Sequence, residues 1–176
     1  MTRIKLKTCI LRSWEWRDRE ALVRHANNRN VSINLRDRFP HPYTDRDARN
    51  WLDAVVGLEP ETNFAIDVAG EAVGGIGYTM QYDVDRRSAE IGYWIGEEFW
   101  GRGIATEALI AVTDHAFANH DLCRVFAHVF DWNPASARVL EKAGYAFEGR
   151  MRKSVTKEGQ TIDQLMYAKI REETLL

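Results

Sequence analysis

The chain has 176 residues, 45% apolar and 28% charged, with 24 basic against 26 acidic side chains and a formal charge of −2. That balance excludes the basic field of a nucleic-acid binder, and no apolar run approaches the roughly 18 residues of a membrane span. The opening "MTRIKLKTCILRSWEWRD" is too charged for a signal peptide. A cytoplasmic protein of one domain, residues 1–176, is expected, long enough to bury a sizeable core.

In chain order, "IKLKTCIL" (residues 4–11) alternates and reads as a strand, and "RDREALVRHAN" (residues 17–27) as a first helix. "RFPHPY" is a loop, because its prolines fit neither helix nor sheet interiors. Thr44 fits the N-cap of a second helix whose apolar stripe is Ala48, Trp51, Leu52 and Val55. "NFAIDVAGEAVGGIGYTMQYD" reads as a hairpin turning near Gly70 and Glu71, and "SAEIGYWIG" as a further strand. A helix from about Gly103 to Asn119 buries Ile104, Ala108, Ala111, Val112 and Ala116. "RVFAHVF" is a strand. "NPASARVLEKAG" is a helix with Asn133 as N-cap, Pro134 in its first turn and Gly144 as its stop. Two strands around a turn at residues 157–160 close the chain. The strand–helix–strand unit at residues 88–130 has the length of a parallel crossover. The hairpins should be antiparallel, so the fold class is α/β, a mixed sheet with helices packed against it. Cys9 and Cys123 have no metal or redox spacing and lie in apolar runs, so both read as buried thiols.

The stretch "EEFWGRGIATEAL" carries the most chemistry. A helix N-terminus exposes unpaired N–H groups and the positive end of the helix dipole. With a strand before it and Gly101 and Gly103 at the turn, it forms a phosphate cradle. Ala105 is small, Thr106 adds a hydroxyl, and Arg102 either pairs with a phosphate or is solvated. The pattern is neither a Walker loop, lacking its Lys-Ser/Thr ending, nor Gly-x-Gly-x-x-Gly, since Thr106 stands where the third glycine belongs. A tight turn that binds nothing remains the alternative for the loop taken alone.

"AEIGYWIGEEFWGRGIATEAL" resembles motif A of the GNAT family of N-acetyltransferases, in particular its ribosomal-protein N-terminal acetyltransferase (Rim-type) branch. "NPASARVLEKAGYAFEG" resembles the second half of that branch's signature, and the resemblance spans nearly the whole chain. It implies a splayed mixed sheet of the acyl-CoA N-acyltransferase type whose two central parallel strands admit acetyl-CoA. The pantetheine arm would pair with backbone near Trp94 and Ile95. The pyrophosphate would sit on the amides of Arg102, Gly103, Ile104, Ala105 and Thr106, over Gly101. Trp100 stands where the family's motif usually has Gln or Arg.

An amine attacks a thioester only when neutral, so a general base is expected. By the resemblance, Glu90 carries that role through water; an ion-paired strand-end carboxylate is the alternative, and Asp131 and His128 compete. The resemblance implies that Asn133 positions the cofactor and that Ser136 donates a proton to the CoA sulfur. Asn133 is also a helix cap, and Ser136 reads equally as a solvated hydroxyl. Similar proteins often use a tyrosine on this helix, but the corresponding place is about Leu140, and Tyr145 lies elsewhere. Phe39, His41, Tyr43, Tyr82 and Trp132 could line an acceptor pocket or simply pack. Asp83 and Asp85 offer charge for a cationic acceptor or form a solvated turn.

The reading is therefore an N-acetyltransferase using acetyl-CoA and no metal. Its acceptor would be a peptide N-terminus or a small-molecule amine, by direct transfer in a ternary complex; a homodimer is compatible. The rivals are acetylation of a polyamine, amino acid, antibiotic or lysine side chain, a non-catalytic acyl-CoA sensor, and a nucleotide-binding regulatory domain.

Overall fold

The alternating run at the N-terminus forms two strands rather than one. In the computed structural model, which describes residues 2–171, β1 (Arg3–Lys5) and β2 (Ile10–Ser13) pair antiparallel, with Ile4 opposite Leu11. The turn between them has neither Gly nor Pro to announce it. It is closed by the Leu6 N–H on the Cys9 carbonyl at 2.9 Å. Glu107 accepts both the Thr8 N–H at 2.9 Å and the Thr8 hydroxyl at 2.8 Å.

Helix α1 (Arg19–Ala26) follows a single 3-10 turn at Trp16–Asp18. One further turn, α2 (Arg29–Ser32), was not anticipated; Asn28 caps it by accepting the Asn30 N–H at 2.8 Å. Helix α3 (Asp45–Val55) starts at Thr44 as expected, in a reciprocal capping box with Asp47. Strands β3 (Asn63–Val68) and β4 (Glu71–Met80) make the expected hairpin. They are followed by β5 (Ser88–Ile95), α4 (Ile104–Asn119), β6 (Arg124–Phe130), α5 (Pro134–Lys142), β7 (Ala146–Lys157) and β8 (Gln160–Ile170). The eight strands form one mixed sheet in the order β1-β2-β3-β4-β5-β6-β8-β7, and β5–β6 is a parallel pair.

The described chain divides into two units, one of residues up to 77 with 93–109, the other of residues 78–92 with those from 110 onward. In the first, Trp14, Leu22, Ala26, Tyr43, Ala48, Leu52, Val55, Ala65 and Ala72 form one core cluster. Trp51, expected in the buried stripe, is half-buried against that cluster and meets Trp14 edge-on at 6.2 Å. In the second, Ala89, Leu122, Val125 and Leu140 are buried, and the Thr113 and Tyr145 hydroxyls bond at 2.6 Å within the interior. On α4 the buried stripe includes Leu109 and Thr113, while Ala111 is half-buried.

A buried ion cluster ties the first unit together. Arg12 on β2 donates from Nε to Asp67 of β3 at 2.7 Å, and from its two terminal nitrogens to Asp18 at 2.7 and 2.8 Å. Relative exposures of 3% for Arg12 and Asp18 and 5% for Asp67 remove all three from water. The carboxylates are satisfied further by backbone: Asp18 accepts the Glu15 N–H at 2.9 Å and Asp67 the Gly70 N–H at 2.8 Å. The hydrogen bonds to Asp18, foremost, hold the Arg12 guanidinium pKa well above its ordinary value. Breaking a buried pair strands the remaining charge, which costs several kcal/mol. Arg12→Met should therefore lower unfolding free energy by about 3–5 kcal/mol, read as a fall in the urea midpoint. A change under about 1 kcal/mol would show that the cluster is not structural.

Candidate active site

Strand β5 leads into the glycine turn. After Ile95 the chain makes a 3-10 turn at Glu97–Phe99, and Gly101 and Gly103 adopt φ of +74° and +80° before α4 begins at Ile104. These are left-handed conformations that L side chains rarely adopt. A Cβ built on either glycine would meet nothing within 4 Å, so the space over the turn is open. Backbone conformation, not crowding by the protein, requires glycine here. The first closure onto α4 is the Glu107 N–H on the Gly103 carbonyl at 3.1 Å. The amides of Ile104, Ala105 and Thr106 thus precede the helical ladder, as orphan donors do.

Two side chains brace this turn. Trp100 donates its indole N–H to the Ile95 carbonyl at 2.8 Å. Arg102 donates to the Glu98 carbonyl at 2.7 Å and lies 5.0 Å from the centre of the Phe99 ring. Its side chain is thereby engaged with its own loop. Near Trp94 and Ile95, where the pantetheine arm was expected to pair, part of the backbone is already engaged within the protein. A Cβ on Gly74 of β4 would clash with the Trp94 carbonyl, which faces that strand, and the Gly96 N–H donates to Val73 at 2.8 Å. The Ile95 carbonyl already accepts the indole of Trp100.

In the other unit, β5 and β6 pair in parallel register over Ser88–Glu90, with Glu90 opposite Phe126. Two residues on, His128 brings Nδ1 to 3.0 Å from the Glu90 carboxylate. Glu90 and His128, separate candidates in the sequence, are therefore neighbours in the structure. Asp131 is an ion-pair partner: Arg150 bridges it at 3.1 Å to Asp163 at 2.9 Å. Asn133 caps α5, its side-chain oxygen accepting the Ser136 N–H at 3.2 Å. Leu140 is fully buried, and Tyr145 bonds Thr113 inside the core.

The predicted acceptor residues behave differently from one another. Phe39 lies 5.1 Å from Tyr43 and 5.3 Å from Trp94 between ring centres. Tyr43 is buried in the core, which pushes its hydroxyl up to about 12. It packs rather than lines. His41 is exposed. Tyr82 is 83% exposed, beside the exposed Asp83 and Asp85. Trp132 meets Phe130 edge-on at 5.9 Å and keeps its indole N–H buried without a partner.

Sequence reasoning missed a polar pocket of about 300 Å³ lined by Arg24, His25, Asn28, Glu97 and Glu98. In it His25 lies 2.7 Å from Glu71 and 3.3 Å from Glu98. No local motif announces it, since its residues come from separate segments. Among the described residues, no group of three His, Cys, Asp or Glu side chains could hold a metal ion.

Residues 9–146 match the family model described as an acetyltransferase (GNAT) domain. The uncharacterized N-acetyltransferase p20 of Bacillus licheniformis is 30% identical over 169 residues, which cover 93% of each chain. A GNAT-family acetyltransferase structure from Bacillus anthracis is similar at a TM-score of 0.83 and 26% identity, over 96% of this chain and 98% of that one. RimL, a ribosomal L7/L12 α-N-protein acetyltransferase solved with coenzyme A, shares the fold at a TM-score of 0.84 and 24% identity, over 96% and 98% of the two chains.

The cysteines separate by burial. Cys9 is buried as expected, and burial, foremost, pushes its thiol up to about 11. Cys123 is only half-buried, a correction to its sequence reading: it stands just before β6, where its backbone N–H donates to Arg87 at 2.9 Å. Because the thiolate is the reactive form, Ellman's reagent at pH 8 should label Cys123 in the folded protein and leave Cys9 unmodified until denaturant is added. Mass spectrometry of the labelled peptides checks this, and prompt labelling of Cys9 would contradict its placement.

Proposed function

The chain belongs to the acetyltransferase (GNAT) family, and from that premise we propose that it transfers an acetyl group from acetyl-CoA to a primary amine by direct attack in a ternary complex. The observation that carries the proposal is the open turn at Gly101 and Gly103 with the α4 amides beyond it. Bare N–H groups at a helix N-terminus suit a pyrophosphate, which brings two negative charges to the positive end of the dipole. The amides of Arg102, Gly103, Ile104, Ala105 and Thr106 would hold it. The side chain of Arg102 is not needed for this, consistent with its engagement by the loop.

The remaining residues divide the chemistry. Acetyl-CoA supplies an activated thioester. The acceptor must lose a proton to become a nucleophile, and the Glu90–His128 pair is the base for that step. With its side-chain oxygen committed to the helix cap, Asn133 keeps its amide N–H groups as donors for the pantetheine arm. Ser136 is the proton donor for the departing sulfur. Leu140 cannot replace it, and Tyr145 is committed to Thr113. The acceptor is a primary amine on a peptide N-terminus or a small molecule. The burial of Tyr43 removes it from the acceptor wall.

Coenzyme A release should be measured with acetyl-CoA and a panel of peptides with free N-termini, spermidine and amino acids. Turnover of at least one amine is expected. Tight acetyl-CoA binding with no release for any acceptor would replace the enzyme by a sensor. Gly103→Val should weaken acetyl-CoA binding at least a hundredfold by calorimetry while costing only about 1–3 kcal/mol of stability, the scale of backbone strain at one residue. Unchanged affinity in a folded variant would remove the turn as the cradle.

A further inference from the structure

His128 is the least settled group beside the proposed chemistry. Its side chain is only 16% exposed and comes from the middle of a strand, where a purely structural histidine has both ring nitrogens either bonded or wet. Here the two nitrogens differ. Nδ1 lies 3.0 Å from a carboxylate oxygen of Glu90. Nε2 is buried and has no hydrogen-bond partner. An ionised carboxylate only accepts hydrogen bonds, so Nδ1 carries the hydrogen and Nε2 of the neutral ring presents a lone pair.

The surroundings hold this arrangement in place. Glu90 is opposite Phe126 in the parallel register, so its long side chain reaches diagonally to the residue two further along β6. Phe126 meets the imidazole edge-on at 5.5 Å between ring centres. On β8, Met166 stands opposite His128. Charged groups on this face include Glu90 from β5, Arg124 from β6 and Glu148 from β7. Arg124 and Glu148 neutralise each other through a two-pronged ion pair, one arm of which is 2.7 Å. Glu90 is the carboxylate that meets the imidazole.

We propose that His128 Nε2 is the atom that takes the proton from the acceptor amine, and that Glu90 is a positioning residue that fixes the ring tautomer and steadies the imidazolium. The inference rests on the acetyltransferase reading and divides its base between two residues. For an acceptor that reaches Nε2 as an ammonium ion, the first proton passes to Nε2, and the imidazolium gives it up after the products leave. The nitrogen lone pair then forms the C–N bond at the thioester carbonyl, and the C–S bond breaks with its electron pair on sulfur. The second nitrogen proton ends on that sulfur. The products are an amide, a thiol and one released proton, so the step balances without a further reactant.

The test compares wild type, His128→Gln and Glu90→Gln, with acetyl-CoA and the fastest acceptor of the amine panel, as kcat/KM against pH. His128→Gln should lower kcat/KM by roughly a hundredfold and abolish the acidic limb. Glu90→Gln should lower it about tenfold and keep the limb, because the ring that takes the proton is still present. The opposite pattern, a limb lost in Glu90→Gln and retained in His128→Gln, would make Glu90 the base and overturn the inference while leaving the acetyltransferase intact. A wild type that acetylates none of the amines overturns both. A readout independent of activity and of the variants' folding is the nitrogen-15 NMR spectrum of the wild-type imidazole: the Nδ1–H tautomer is expected, and an Nε2–H tautomer would sink the proposal.

Discussion

The side-chain register of β5 is the constraint on which the placement of Glu90 depends. Its pleat sends Ala89, Ile91 and Ile95 into the interior and turns Glu90 to the opposite face. A slip of one residue would exchange the two sets, exposing two isoleucines and burying a carboxylate. Burial therefore locks the position of Glu90 as firmly as it locks the core. The same strand then delivers the chain to Gly101 and Gly103, where positive φ permits a reversal into α4.

Buried charge is handled in two ways. Around Arg12 every carboxylate oxygen and guanidinium arm is directed at a partner, so the cluster costs desolvation but leaves no stranded group. At His128 the accounting is left open at one nitrogen. A folded protein tolerates such an orphan where a ligand or a proton completes it, because a permanent unsatisfied group costs on the order of 1–3 kcal/mol. The contrast separates an ion cluster with every charged atom partnered from a pair with one ring nitrogen open. Asp131 is instead tied into a surface ion pair, since Arg150 bridges it to Asp163.

Much of the fold was legible because its signals are local. Thr44 and Asn133 cap the helices they were expected to cap, and Gly144 ends α5 with φ of +84°. The β3–β4 hairpin and the parallel β5–β6 pair follow from turn chemistry and crossover length. The N-terminal run misled because alternation is the same in one strand as in two. Its turn depends on Glu107, nearly a hundred positions away on the scale of the chain. The buried status of Tyr43 and the exposure of Tyr82 were equally out of reach, since an aromatic residue in a loop carries no local mark of its neighbours.

By itself, the sequence determined the family, the glycines at the mouth of α4 and the residue types available for proton transfer. These depend on identity and spacing along the chain, which survive without coordinates. Only the tertiary structure decided that Glu90 and His128 form a pair, that Trp100 occupies the Ile95 carbonyl, and that Arg12 gathers Asp18 and Asp67. Hydrogen bonds are fixed within fractions of an ångström, and residues distant in sequence reach that separation only when strand register and burial are both set.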